Sequence, residues 1–170
     1  MDDQLDRLFG EWYHAGGAVL LAETPPAPPL RSAEELVAES TAHCRESGRL
    51  TWVVLDWLIH HVSVVDEQRL LDETTRQGDL SVLGFLCEAA YERNPDPKFT
   101  RLAQRCPANA RLEPFFYRVA RSPLAARLAA QNPLSVFKRW NYLSSEIRYL
   151  SEPAPEGSTA GQQLGDRKSG

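Results

Sequence analysis

Cysteine is scarce in this chain of 170 residues. The three present, Cys44, Cys87 and Cys106, stand at no motif spacing. That excludes a disulfide framework and a CxxC metal site, and it points to a reducing, cytoplasmic setting. No apolar run approaches the roughly 18 to 20 residues that a bilayer-crossing helix needs, which argues against a membrane partner. The opening MDDQLDRLFG is acidic and amphipathic, without the basic start and apolar run of a secretory signal. There is no GxxxxGK[ST] phosphate loop and no HExxH or HxH pair, so the usual local signatures of phosphoryl transfer and of zinc hydrolysis are missing. No stretch repeats with a solenoid period.

What is present is an ordinary globular composition, 42% hydrophobic and 25% charged, on a chain long enough to bury a core in one domain. Apolar spacing predicts a helix over residues 3–13, closed by Gly16-Gly17. Residues 24–30, TPPAPPL, then form an extended connector. Ser32 and Glu35 have the spacing of a capping box and open a second helix, taken to end at Gly48. LTWVVLDWLIHH, residues 50–61, is the most apolar stretch and predicts a buried helix. Asp66, Asp79 and Asp96-Pro97 each read as a helix start. Ser122-Pro123 and Asn132-Pro133 repeat that signal for helices at 124–130 and 134–140, and a last pattern over 142–150 aligns Leu143, Ile147 and Leu150. The fold expected is all-α, a compact bundle of six to eight helices, with a minor β element admitted at 17–22 or 62–65. The division expected is an N-terminal arm and proline-rich connector over 1–30, a helical core over 31–150, and a disordered polar tail over 151–170.

Charge is distributed unevenly. Residues 1–92 hold 6 lysines and arginines against 17 acids, whereas residues 93–150 hold 11 against 3. Such asymmetry bears on partners rather than on fold. The basic segment interleaves its cations with Phe99, Phe115, Phe116, Tyr117, Phe137, Trp140, Tyr142 and Tyr149, a mixture that nucleic-acid binders use for phosphate neutralisation and base stacking. Three other readings compete. The aromatics belong to the core, the arginines pair with the acidic half, or the basic face meets an acidic protein. Residues 51–61, 66–75 and 80–92 also have helix-turn-helix economy, but the last of these has no basic residue before Arg93 with which to read a groove.

Catalytic and metal readings fare less well. His60 and His61 are neighbours on a helix, about 100° apart, so they suit a helix C-terminus better than one shared ion. Cys87 lies on an apolar stripe as a small core residue, which leaves Cys106, before proline in the basic loop RCP, as the better candidate for a reactive thiol. Asp66, Glu67, Asp72 and Glu73 read as a solvated face or as a docking surface for a basic protein. No catalytic residue, cofactor or metal is therefore expected.

The segments TWVVLDWLIHHVSVVDEQRLLDE, DPKFTRLAQRC, LEPFFYRVARSPLAARLA and FKRWNY resemble a family of small helical proteins encoded beside nucleotidyltransferase-type toxins in bacterial toxin–antitoxin pairs. The resemblance covers residues 50–150; the first 45 residues and the tail lie outside it. It implies a non-catalytic antitoxin that docks on its toxin and blocks substrate access. The partner-binding residues expected are Arg118, Arg121, Lys138, Arg139, Trp140 and Tyr142 on the basic side, and Asp66, Glu67, Asp72 and Glu73 on the acidic side. Trp140 and Tyr142 are the first choices as anchors, then Phe115 and Phe116. The alternative is a nucleic-acid-binding regulator using residues 93–150.

Overall fold

The computed structural model describes residues 3–28, 31–116 and 135–143. The fold is all-α. Its helices are α1 (Asp3–His14), α2 (Ala33–Thr41), α3 (Gly48–His61), α4 (Glu67–Gln77), α5 (Leu80–Tyr91), α6 (Pro97–Gln104) and α7 (Ser135–Arg139). Short 3-10 turns at Cys44–Glu46 and Val62–Val64 flank α3.

Side chains set most of the helix starts. Ser32 Oγ accepts from the Glu35 amide, and Glu35 accepts in return from the Ser32 amide, closing a reciprocal box. Asp66, Asp79 and Asp96 cap α4, α5 and α6 in turn, so those acids spend their charge on orphan amides. Gly48 is a correction: it begins α3, with Ser47 as its N-cap, and does not end α2. The β element is displaced too. Residues 62–64 form a 3-10 turn, 17–22 are irregular, and the pairing falls instead between β1 (Glu113–Pro114) and β2 (Tyr142–Leu143), two parallel residues each. Residues 142–143 therefore do not start the helix expected there. The expected helix at 124–130, the rest of 142–150, and the tail lie outside the described residues.

The core is one continuous cluster. α3 and α5 supply its centre, with Leu50, Val54 and Leu58 on the first and Val82, Phe85 and Leu86 on the second, all at or near zero exposure. α1 belongs to the same cluster. Its Leu8 and Trp12 are fully buried, and Trp12 lies 5.7 Å from Trp57 while its indole N–H donates to Ser40 Oγ at 2.9 Å.

An ion network seals this junction. Arg7 donates to Glu11 at 2.6 Å and pairs with Glu39. Arg31 reaches Glu11 at 2.8 Å and Glu39 at 2.7 Å. Glu11 is only 5% exposed, and a buried carboxylate of that kind is tolerable because each oxygen meets a guanidinium. Burial alone would raise the Glu39 carboxyl, but hydrogen bonds from Arg7 and Arg31 and their charge hold it below its ordinary 4.5.

Gly78 marks another tight junction. A Cβ there would fall 2.2 Å from the Ala38 carbonyl oxygen, so α2 and the end of α4 meet at a point where only glycine fits.

Because the folded Glu39 value lies below 4.5, its stabilising contribution is full above that pH and is lost as acid drives the pH through the lowered value. Denaturant midpoints measured across acidic pH should fall more steeply for the native chain than for Glu39→Gln, which has no carboxylate to titrate. Parallel curves would show that Glu39 is uncoupled from folding.

Candidate functional site: the α5–α6 groove

α5 and α6 form a helical hairpin across the turn at residues 92–96. Between them lies an open groove of about 320 Å³, with Cys87, Phe99 and Ala103 as its floor, Tyr91 at its rim and Trp140 as one wall. Glu88, Thr100 and Gln104 are its polar lining. Tyr91 is 42% exposed, whereas Phe99 and Cys87 are fully covered. The groove is thus an apolar recess at the surface, large enough for one or two big side chains and near the lower limit for a small-molecule site.

The wall is set by a missing side chain. At Gly84 a Cβ would lie 2.2 Å and 2.4 Å from the Trp140 ring and 2.9 Å from Cys106 Cβ. One turn further along α5, Glu88 accepts the Trp140 indole N–H at 2.9 Å and pairs with Arg139. Phe85 then anchors the returning chain, with ring centroids 4.5 Å from Phe137 and 5.0 Å from Phe115. Tyr142 closes the cluster at 4.9 Å from Phe115, its hydroxyl 2.5 Å from Ser81 Oγ. Arg45 braces the same region, donating to the Phe115 carbonyl at 3.0 Å, pairing with Glu113 at 3.0 Å and lying over the Tyr142 ring.

The expected partner residues therefore separate. Trp140 and Tyr142 are 7% and 0% exposed, and Phe115 and Phe116 are buried as well. In the chain by itself all four pack into its own core, and Trp140 also lines the groove. Lys138 and Arg139 are exposed beside it, with Arg139 occupied by Glu88. Arg118 and Arg121 lie outside the described residues. On the acidic side, Asp66 is the α4 cap, accepting from the Arg69 amide at 3.0 Å. Glu67 crosses to Arg101 at 2.7 Å, and that hydrogen bond and charge hold its carboxyl below the usual range. Glu73 pairs with Arg76 along α4. Asp72 remains exposed, accepting from Gln68 at 2.9 Å.

The two oppositely charged halves thus pair with each other at the surface, at Glu67–Arg101 and Glu88–Arg139. Lys98 is spent differently, on the Val62, Ser63 and Val65 carbonyls at 3.0, 3.3 and 2.8 Å.

His60 and His61 sit at the end of α3, each with Nδ1 on the carbonyl four residues back, at 2.9 Å and 3.1 Å. Among the described residues no three His, Cys, Asp or Glu side chains group as metal ligands, and no helix is long and apolar enough to cross a membrane. Burial drives the Cys44 and Cys106 thiols up to about 12, and Cys87 well above its usual range. Cys106, the better candidate for a reactive thiol by sequence, is buried as well.

Of the groove residues, the sequence points to Trp140, Phe99 and Cys87 and does not point to Tyr91, Glu88, Thr100 or Gln104. The available signal was Tyr91 at the exposed end of an otherwise buried helix. Neither a family model, nor a curated protein, nor a solved structure matches the chain.

Two outcomes are expected. Gly84→Ala should cost about 1 to 3 kcal/mol by overpacking, and Trp fluorescence should shift as the Trp140 ring moves; an unchanged spectrum and midpoint would contradict the contact. Ellman's reagent should modify the three thiols only as fast as the folded chain opens, because covered thiols with raised pKa values are poor nucleophiles. Rapid titration of one thiol in the native state would contradict their burial.

Proposed function

We propose that this domain is a non-catalytic protein-binding module, and that it acts as the antitoxin of a nucleotidyltransferase-type toxin. The observation that carries the binding reading is the apolar groove between α5 and α6, open at the surface and rimmed by Tyr91 and Trp140. Binding hot spots are of this kind: a compact recess that a few large side chains fill while the surrounding contacts exclude water. The chemistry of the remaining groups favours binding over turnover. The thiols are covered and held protonated, and the carboxylates of α4 cap, brace or pair within the fold. The toxin as partner follows from the resemblance of residues 50–150.

The cations of the basic segment bear on the nucleic-acid alternative. Arg101 and Arg139 are paired with Glu67 and Glu88, and Lys98 is directed at backbone carbonyls. That leaves fewer charges for the counterion release that drives phosphate binding.

The test is co-expression with the product of the adjacent reading frame. The reading expects a stable complex that co-elutes in size exclusion, buries on the order of 1,200 to 2,000 Å², and restores growth when that neighbour is toxic alone. Two proteins that elute separately at micromolar concentration, with growth not restored, would sink it.

A further inference from the structure

A second recess, of about 350 Å³, lies between α1, the chain leading into α2, and α3. It shares no residue with the α5–α6 groove. Its charged lining, Glu11 and Arg31, belongs to the ion network of α1 and α2, and that network is closed. Arg31 Nε meets Glu11 Oε1 at 2.8 Å, Arg7 Nη1 meets Glu11 Oε2 at 2.6 Å, and Arg31 Nη2 meets Glu39 Oε1 at 2.7 Å. Arg7 takes the last oxygen, Glu39 Oε2. Two guanidiniums thus face two carboxylates, with every carboxylate oxygen occupied. A charged ligand would lose its hydration there without gaining an unmatched counter-charge. Two other polar groups of the lining are also spent, Ser32 on Glu35 and His14 Nε2 on the Pro25 carbonyl at 3.0 Å. What remains open is a donor. Trp57 forms part of the wall and is only 6% exposed. His61 is stacked on its ring at 4.8 Å, and Trp12 lies 5.7 Å away. Its indole N–H has no acceptor among the described residues, and unlike that of Trp52 it is not sealed from solvent. The edge of the ring left open at the recess is therefore its N–H.

We propose that this recess binds a small uncharged molecule whose carbonyl oxygen accepts the Trp57 indole N–H and whose apolar body packs on Ala15, Pro28, Ala33 and Leu36. Those four residues complete the lining. The volume falls in the lower part of the range of small-molecule sites, and the division of labour is the usual one, apolar walls with few polar groups that fix orientation. A nearly buried donor without an acceptor is costly to leave unmade, so a ligand that supplies the acceptor is favoured over an isostere that does not. The balanced ion pairs select in the same direction by offering nothing to a free charge. This site is separate from the protein-binding reading, which does not use it.

The experiment follows the indole N–H resonances of the full chain by NMR. The chain has four tryptophans, and Trp57→Phe identifies the resonance of that residue by its loss. The probe is benzamide, with benzoate and benzylamine as its anionic and cationic counterparts of similar size. Benzamide should shift the Trp57 resonance saturably, with a Kd on the order of 1 mM, as suits so small a ligand. Its charged counterparts should bind weaker by on the order of tenfold. Trp57→Phe keeps an aromatic ring but removes the donor, and should weaken benzamide by about tenfold when binding is read from the ligand's own signals. Ala33→Leu, which narrows the recess from α2, should abolish the shift while leaving the melting temperature near that of the native chain. The absence of a saturable shift at tens of millimolar benzamide overturns the proposal. So does a shift at Trp140 in place of Trp57, which puts the probe in the α5–α6 groove. Benzoate or benzylamine bound as tightly as benzamide also overturns it, because the ion network would then be open to a counter-ion. Unchanged affinity in a folded Ala33→Leu or Trp57→Phe chain has the same consequence. A complex with the neighbouring protein stands or falls independently of each of these results.

Discussion

The close approach of Trp140 to the backbone of α5 is the contact on which the outer half of the molecule depends. It exists because residue 84 has no side chain. With the indole packed against that turn, its N–H reaches Glu88, and the neighbouring rings fall into place around Phe85. A segment some fifty residues downstream is thereby fastened to the central helix by packing and a part-buried hydrogen bond. Dense packing of this kind transmits any change of volume to its neighbours. The groove is a by-product of the same contact, since the ring that seals the core on one side forms a wall on the other.

Much of the helical architecture was legible in the sequence because it is written in short-range chemistry. Ser32 with Glu35, and Asp66, Asp79 and Asp96, are local signals whose partners sit two or three residues away, so no knowledge of the fold is needed to read them. The misreadings came where distant contacts decide. Gly48 resembles a stop, yet Ser47 beside it supplies a cap and α3 starts there. The periodicity over 142–150 suggested a helix from Tyr142, but that residue is held by Ser81, sixty-one positions earlier. Local propensity yields to tertiary burial at such positions.

The candidate site shows the same division more sharply. Interleaved aromatics and cations read equally well as a binding face or as a core with a charged rind, and the described residues adopt the second arrangement for Phe115, Phe137 and Tyr142. Charge asymmetry was visible as a count, but its use was not. Pairing Glu67 with Arg101 needs α4 and α6 to be arranged first, and pairing Glu88 with Arg139 needs α5 and α7. Exposed pairs like these add little stability individually. Their effect is to remove certain charges from the surface and leave others, so what reaches solvent is a remainder that no linear count reveals.

Helix α2 has a role beyond its own burial. Near its start, the Glu34 carboxylate accepts from the Asp66 amide at 2.8 Å. At its end, Thr41 Oγ1 accepts from the Asp79 amide at 2.9 Å while donating to the Ala38 carbonyl. Those two amides bracket α4, which therefore runs parallel to α2 and is moored to it fore and aft. The spacing of the moorings is a property of α2, so α4 has no freedom of length. A residue added to or removed from α4 would rotate every later side chain by about 100°, and one berth would be empty. Variation in this region must consequently be confined to substitutions on the outward face.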